Sequence, residues 1–244
     1  MFILHPMNLF EKTGNGKFGI IIRIKKKALQ QRLKYDYIVI EGNIGTGKTS
    51  LATKIADEFN TKIVLERFAD NPFLPLFYEN SQRYAFPLEL SFLADRYQQL
   101  NDEIASRELF QQQTVSDYIL SKSLIFASIT LKDAEFQLYQ RLFQIINPHL
   151  PKPDLLVYLH KDVKNLKSNI RKRGRDYEQN IADDYLFSLE KGYWEFFKQQ
   201  SGIPILVLDT NQVDFIENQS DYDEILDLIN TSYEPGIHRV ILRT

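Results

Sequence analysis

Residues 42–49 read Gly-Asn-Ile-Gly-Thr-Gly-Lys-Thr, the spacing G-x-x-x-x-G-K-[ST]. Glycines let the backbone wrap a phosphate with its N–H groups, and a helix opening at that point adds its positive end. In such a loop Lys48 would reach the outer phosphates and the Thr49 hydroxyl would bind Mg²⁺. Gly42, Asn43, Ile44, Gly45, Thr46, Gly47, Lys48, Thr49 and the following Ser50 are therefore expected to cradle the phosphates of a nucleoside triphosphate; a glycine turn without ligand is the alternative. Three further groups suit phosphoryl chemistry. Glu66, in Val64-Leu65-Glu66-Arg67-Phe68, would stand at the C-terminal end of a strand, where ligands bind parallel sheets, and could take a proton from a hydroxyl. A surface ion pair with Arg67 would fit the same position. The cluster Arg171-Lys172-Arg173-Gly174-Arg175 could bring guanidinium forks to the charge that develops on equatorial oxygens, or be a solvated helix end favoured by the dipole. Asp117 is open to three readings: a Mg²⁺-side carboxylate, a partner of the acceptor, or the N-cap of a helix over 118–127.

These residues need a scaffold. From Tyr35 onward short β-branched runs alternate with helical patterns, the sign of βαβ units and a parallel sheet. Strands are expected at 37–40, 62–65, 114–116, 155–159 and 205–208. The first is an unbroken apolar run, as in strands buried on both faces. Helices are expected over 48–59, 88–107, 118–127, 133–146, 182–200 and 222–229, with another following the fourth strand and closing at the basic cluster. No repeat or linker divides this stretch. The expectation is one α/β domain over 35–244 with a P-loop NTPase fold: a five-stranded parallel sheet flanked by helices, with a lid loop.

Composition narrows the functional classes. The 244 residues contain no cysteine, four histidines and 13% aromatics, which excludes disulfides, thiolate metal sites and cysteine nucleophiles, and makes a disordered chain untenable. A reducing, cytoplasmic location fits, and no stretch approaches the roughly 18 apolar residues of a membrane span. Charge is uneven. Residues 1–35 carry eight basic side chains against Glu11 alone, so +7, which leaves the rest at −9 within a total of −2. An acidic body argues against nucleic acid as the partner. The basic leader, 1–34, has an apolar run (Phe18–Ile22) too short for a secretory signal and too little Arg and Ser for a transit peptide. It is expected to be dispensable, with an appended strand or a functional tail as alternatives.

Beyond the phosphate loop, several blocks occur in a fixed order: Asn71-Pro72-Phe73-Leu74-Pro75-Leu76-Phe77-Tyr78-Glu79, Arg83-Tyr84-Ala85-Phe86-Pro87-Leu88-Glu89-Leu90, Lys122-Ser123-Leu124-Ile125-Phe126-Ala127, Arg173-Gly174-Arg175-Asp176-Tyr177-Glu178-Gln179 and Leu208-Asp209-Thr210-Asn211. With Glu41–Thr49 they resemble the deoxynucleoside kinases, closest to the bacterial branch acting on purine deoxynucleosides, over about 35–215. The resemblance implies transfer of the ATP γ-phosphoryl, with Mg²⁺, to the 5′-hydroxyl of a deoxynucleoside by a homodimer. It implies Glu66 as general base and Arg96 as a contact to the base. Tyr78 and Glu178 would hold the sugar 3′-hydroxyl, and Phe126 would stack on the base. Asp214 and Phe215 would lie around the donor adenine. Arg173, Arg175 and, after them, Arg171 would be lid arginines.

The sequence also departs from that family. Animal members carry an acidic-Arg-Ser triplet after the third strand, where this chain has Val115-Ser116-Asp117-Tyr118. Glu89 stands where many relatives have a base-reading glutamine, and an ionised carboxylate only accepts hydrogen bonds, which would favour guanine. Lys122 replaces an aspartate and is expected to pair with Glu89. A nucleoside-monophosphate kinase and a nucleotide-dependent binding switch are the competing functions. Against a GTPase switch, no N/T-K-x-D guanine motif occurs.

Overall fold

The computed structural model describes residues 32–68, 71–105 and 113–243. Most of the basic leader, residues 1–31, therefore lies outside the described residues, including the apolar run at 18–22. Its last described residues adjoin the body: Leu33 is buried, and its backbone N–H and C=O both bond the Gln113 amide at 2.8 Å.

Among the described residues six strands form one parallel sheet, in the order β2-β3-β1-β4-β5-β6. They are β1 (Tyr37–Gly42), β2 (Lys62–Val64), β3 (Thr114–Ser116), β4 (Leu155–His160), β5 (Pro204–Asp209) and β6 (Gly236–Ile241). Five were expected. The sixth, β6, pairs along β5 from Pro204↔Gly236 to Asp209↔Ile241. It is an edge strand whose residues alternate between half-buried and exposed, so it lacks the unbroken apolar run that marks the central strands.

The helices are α1 (Lys48–Phe59), α2 (Phe73–Glu79), α3 (Ser81–Leu100), α4 (Lys122–Thr130), α5 (Asp133–Ile146), α6 (Val163–Arg173), α7 (Asp183–Lys198) and α8 (Gln219–Ile229). Alternate residues of the central strands feed two cores. Ile38 and Ile40 of β1 and Leu155, Val157 and Leu159 of β4 pack with Leu51 and Ile55 of α1 and Tyr222 and Ile225 of α8. Val39, Leu156 and Tyr158 face the other way, toward Leu93 of α3, Tyr139 of α5 and Tyr193 and Phe197 of α7. Period-two burial on both faces is what a sheet sandwiched between helices requires.

Three expected helices start elsewhere. α8 begins at Gln219 rather than 222, where the Asn218 side chain caps it by accepting from the Ser220 N–H at 2.9 Å. α3 begins at Ser81 rather than 88, because the Asn80 side chain caps it by accepting from the Arg83 N–H at 3.2 Å. Pro87 is carried inside the helix, and after Leu100 the chain widens into a π turn, Asn101–Ala105. α4 begins at Lys122, not 118. Asp117 does not cap it, because its carboxylate is engaged by Thr49 and the Glu66 N–H. The chain crosses from β3 past β1 to β4, so the C-terminal ends of these central strands open the crevice where ligands bind in such sheets.

Candidate active site

The loop after β1 runs straight into α1. Gly47 has φ +93°, and a Cβ there would stand 2.9 Å from Phe215 Cζ; Gly45 has φ +88°, and a Cβ would meet Ile170 and the Leu166 carbonyl of α6 at 2.9 Å. Both positions combine left-handed backbone with no room, so glycine is required. We expect Gly47→Ala to strain the loop by about 1–2 kcal/mol and weaken binding of a nucleoside triphosphate about tenfold; unchanged binding would remove Phe215 from the wall of that site. Gly42 and Asn43 shape this loop without lining the cleft. The Asn43 amide donates to the Leu186 carbonyl at 2.8 Å, and its own carbonyl accepts from Lys48 Nζ at 2.9 Å.

Gly45 to Ser50 line a cleft of about 550 Å³ whose opposite wall is residues 213–217. Asp214 and Phe215 belong to that wall. α6 brings Asn169, Lys172 and Arg173 to this cleft, three residues that share one helical face. Arg171 does not follow them. It is exposed and donates to the Lys167 carbonyl of its own helix, since its helical phase turns it away; Lys172 takes its place. Asn169, whose amide donates to the Gly45 carbonyl at 2.8 Å, and Lys161 complete a wall that the sequence reading did not assign.

A second cleft lies behind the first. Lys48, Thr49, Phe68, Arg173 and Arg175 line both. Ile44, Glu66, Tyr78, Glu89, Arg96, Asp117, Lys122, Phe126 and Glu178 line the second alone. Eight residues expected at the acceptor, from four separate stretches of chain, are thereby brought together.

Glu66 is the hub. Arg96 Nε donates to its Oε1 at 2.7 Å and Lys122 Nζ to its Oε2 at 2.6 Å. Burial raises its pKa, but Lys122 and Arg96 outweigh burial and hold the carboxyl well below the usual carboxylate range. The alternative reading of Glu66, an ion pair with Arg67, does not form, because Arg67 reaches Glu103 instead. Nor does Lys122 pair with Glu89: its ammonium is committed to Glu66. Arg96 is committed too, with Nη1 donating to Ser123 Oγ at 2.8 Å, so in this structure it positions Glu66. Because Lys122 is 5% exposed, removing it leaves a buried charge with half its compensation. Lys122→Met is expected to cost about 2–3 kcal/mol and lower Tm by roughly 5–10 °C, a shift that thermal unfolding reads directly.

Asp117, in the second cleft, links Thr49, which borders both clefts, to the Glu66 backbone. Thr49 Oγ1 donates to its Oδ2 at 2.6 Å and the Glu66 N–H to its Oδ1 at 2.7 Å. A hydroxyl and a carboxylate beside a phosphate loop are hard oxygen donors of the kind Mg²⁺ takes when phosphates supply the rest of its shell. Lys48 is pushed down to about 8, by burial and then by the charge of Lys122. Arg173 and Arg175 both hold the Glu178 carboxylate, Arg175 at 3.2 Å. The Arg175 guanidinium lies 3.9 Å over the Phe68 ring, and Tyr78 stacks on Tyr177 at 5.8 Å.

Glu41 had no assigned role. It is fully buried, accepts from the Ile119 N–H at 3.0 Å and the Tyr193 hydroxyl at 2.8 Å, and is raised by burial. It ties the phosphate-loop strand to the turn that carries Lys122. Its signal was a lone acidic residue closing an apolar strand.

The model of the deoxynucleoside kinase family matches residues 38–234. This chain belongs to the deoxynucleoside kinase family. It is 36% identical over 193 residues to the deoxyguanosine kinase of Bacillus subtilis (strain 168), a match covering 78% of this chain and 93% of that one. It is 30% identical over 198 residues to a deoxyadenosine kinase of Lactobacillus acidophilus, covering 78% and 92%. The fold is that of the deoxyadenosine kinase from M. mycoides with bound dCTP, at TM-score 0.68 and 24% identity over 79% of this chain and 98% of that one. The kinase therefore has the P-loop NTPase fold and is an ATP-dependent phosphotransferase acting on deoxynucleosides.

Proposed function

We propose that the kinase transfers the γ-phosphoryl group of ATP to the 5′-hydroxyl of a purine 2′-deoxynucleoside, with Mg²⁺ beside the donor phosphates. One observation carries this reading: Lys48, Thr49, Arg173 and Arg175 border both clefts, while Glu66 faces only the second. A donor phosphate and an acceptor alcohol placed in the two clefts meet at the shared residues.

Glu66 accepts the hydrogen bond of the 5′-hydroxyl and aims its lone pair at phosphorus. A carboxylate held by two cations is a weak proton acceptor, so the proton is taken late, as a loose phosphoryl-transfer transition state allows. Lys48 and the lid arginines meet the charge on the transferring oxygens. Thr49 and Asp117 would hold Mg²⁺, which neutralises donor phosphate charge when bound. Tyr78 and Glu178 take the sugar, Phe126 flanks the base, and Asp214 and Phe215 border the donor adenine. The purine preference is supported by the similarity to deoxyguanosine and deoxyadenosine kinases.

The kinase domain is residues 35–244, and the basic leader is dispensable for catalysis. The chain works as a cytoplasmic homodimer; Leu138 and Ile145, two turns apart on α5, leave apolar surface exposed for a second copy. Among the described residues no helix is long and apolar enough to cross a membrane. Purified protein with ATP-Mg²⁺ and each deoxynucleoside in turn, scored by monophosphate formed, tests the reading. Phosphorylation of nucleoside monophosphates alone would overturn it.

A further inference from the structure

Among the described residues, the second cleft contains one buried polar side-chain atom without a partner, Glu89 Oε2. The other carboxylates of that cleft are engaged: Glu66 by Arg96 and Lys122, Asp117 by Thr49, Glu178 by the lid arginines. Glu89 is 2% exposed. Its Oε1 is anchored by the Thr130 hydroxyl, which donates at 2.9 Å, so Oε2 is the oxygen left to carry a variable proton or to meet a ligand. A buried polar atom with no partner costs free energy that a bound group can recover.

The surroundings permit either charge state. Arg96 of α3 and Lys122 of α4 favour the carboxylate, and Glu66 beyond β2 opposes it. Tyr139 of α5 donates to the Glu89 backbone carbonyl at 3.2 Å, Tyr185 of α7 faces the carboxyl, and Tyr78 of α2 lines the same cleft. Burial is the largest influence and pushes Glu89 up to about 7.

Purines differ in what they offer such a group. Adenine presents an N6–H donor beside the N1 acceptor, whereas guanine presents two adjacent donors, N1–H and N2–H. We propose that the proton on Glu89 selects the purine: the carboxylic acid, donating from Oε2 and accepting at Oε1, takes adenine, and the carboxylate, accepting at both oxygens, takes guanine. The mismatched pairing buries an unsatisfied donor or acceptor, which discriminates strongly in a dry site. This inference rests on the deoxynucleoside reading above and adds to it the rule by which the base is chosen.

Proton linkage gives the sign. Each purine demands a different number of protons on the complex, so the ratio of kcat/KM for deoxyadenosine to that for deoxyguanosine falls as pH rises, by up to about tenfold per unit. Groups used equally by both reactions, Lys48 among them, cancel in the ratio. The test measures that ratio from about pH 6 to about pH 8 in the unaltered protein and in Glu89→Gln. The unaltered protein is expected to show at least a tenfold fall, and the Gln variant a flat ratio, since an amide keeps a donor and an acceptor at every pH. A flat ratio in the unaltered protein, or an equal slope in the variant, overturns the inference while the kinase reading stands. Failure to phosphorylate any deoxynucleoside at any pH overturns the kinase reading, and this inference with it.

Discussion

Replacing Lys48 with methionine is expected to lower kcat/KM by about three orders of magnitude, with Tm unchanged or slightly raised. Removing one preorganised charge from a phosphoryl-transfer site costs on the order of 10²–10³ in rate, and a cation aimed at the outer phosphates belongs at the upper end. The stability half of the expectation comes from the geometry. Among the described residues Lys48 Nζ donates only to the Asn43 carbonyl, at 2.9 Å, and burial together with the charge of Lys122 already disfavours its protonation. Methionine relieves that desolvation and repulsion. Steady-state kinetics and a thermal melt separate the two effects; activity lost in proportion to a fallen Tm would make Lys48 a structural residue.

Glu66→Gln is expected to lower kcat by roughly 10²–10⁴, the span that a positioned base contributes, with KM for the nucleoside little changed. Unlike Lys48, Glu66 also holds the site together. Arg96 and Lys122 converge on it at 2.7 and 2.6 Å, and an amide leaves two buried cations without a counter-charge. Tm should therefore fall by several degrees. Glu66→Asp keeps the charge and should restore most of the Tm but little of the rate, because its carboxylate is one methylene short. A kcat within threefold of the unaltered protein in Glu66→Gln would remove Glu66 from the reaction.

The parts of this site that the sequence reveals are those in which local chain geometry and chemistry coincide. The phosphate loop is one stretch, and its glycines at 45 and 47 are dictated by backbone and by the space beside them. The central strands are legible because burial on both faces demands unbroken apolar runs, as at 37–40 in β1. α2 escaped because it is seven residues long with proline at 75 and at its cap, and β6 because an edge strand tolerates His238 and Arg239 among its apolar residues. The clamp on Glu66 was not legible, because Lys122 lies 56 positions away in sequence and only the pairing of β2 with β3 brings the two together. Glu89 was expected to find its counter-charge in Lys122 and does not, since the ammonium is taken by the stronger site. Arg171 was grouped with its neighbours by composition; helical phase separates them.

The most direct measurement of the central arrangement follows the label from γ-labelled ATP in a single turnover with a 2′-deoxynucleoside and, in parallel, with its 2′,5′-dideoxy analogue. The account predicts label on the 5′-oxygen of the first. The analogue should bind competitively and accept none. Label on the analogue, or on another oxygen of the nucleoside, would contradict a hydroxyl aimed by Glu66 at a phosphate held by Lys48.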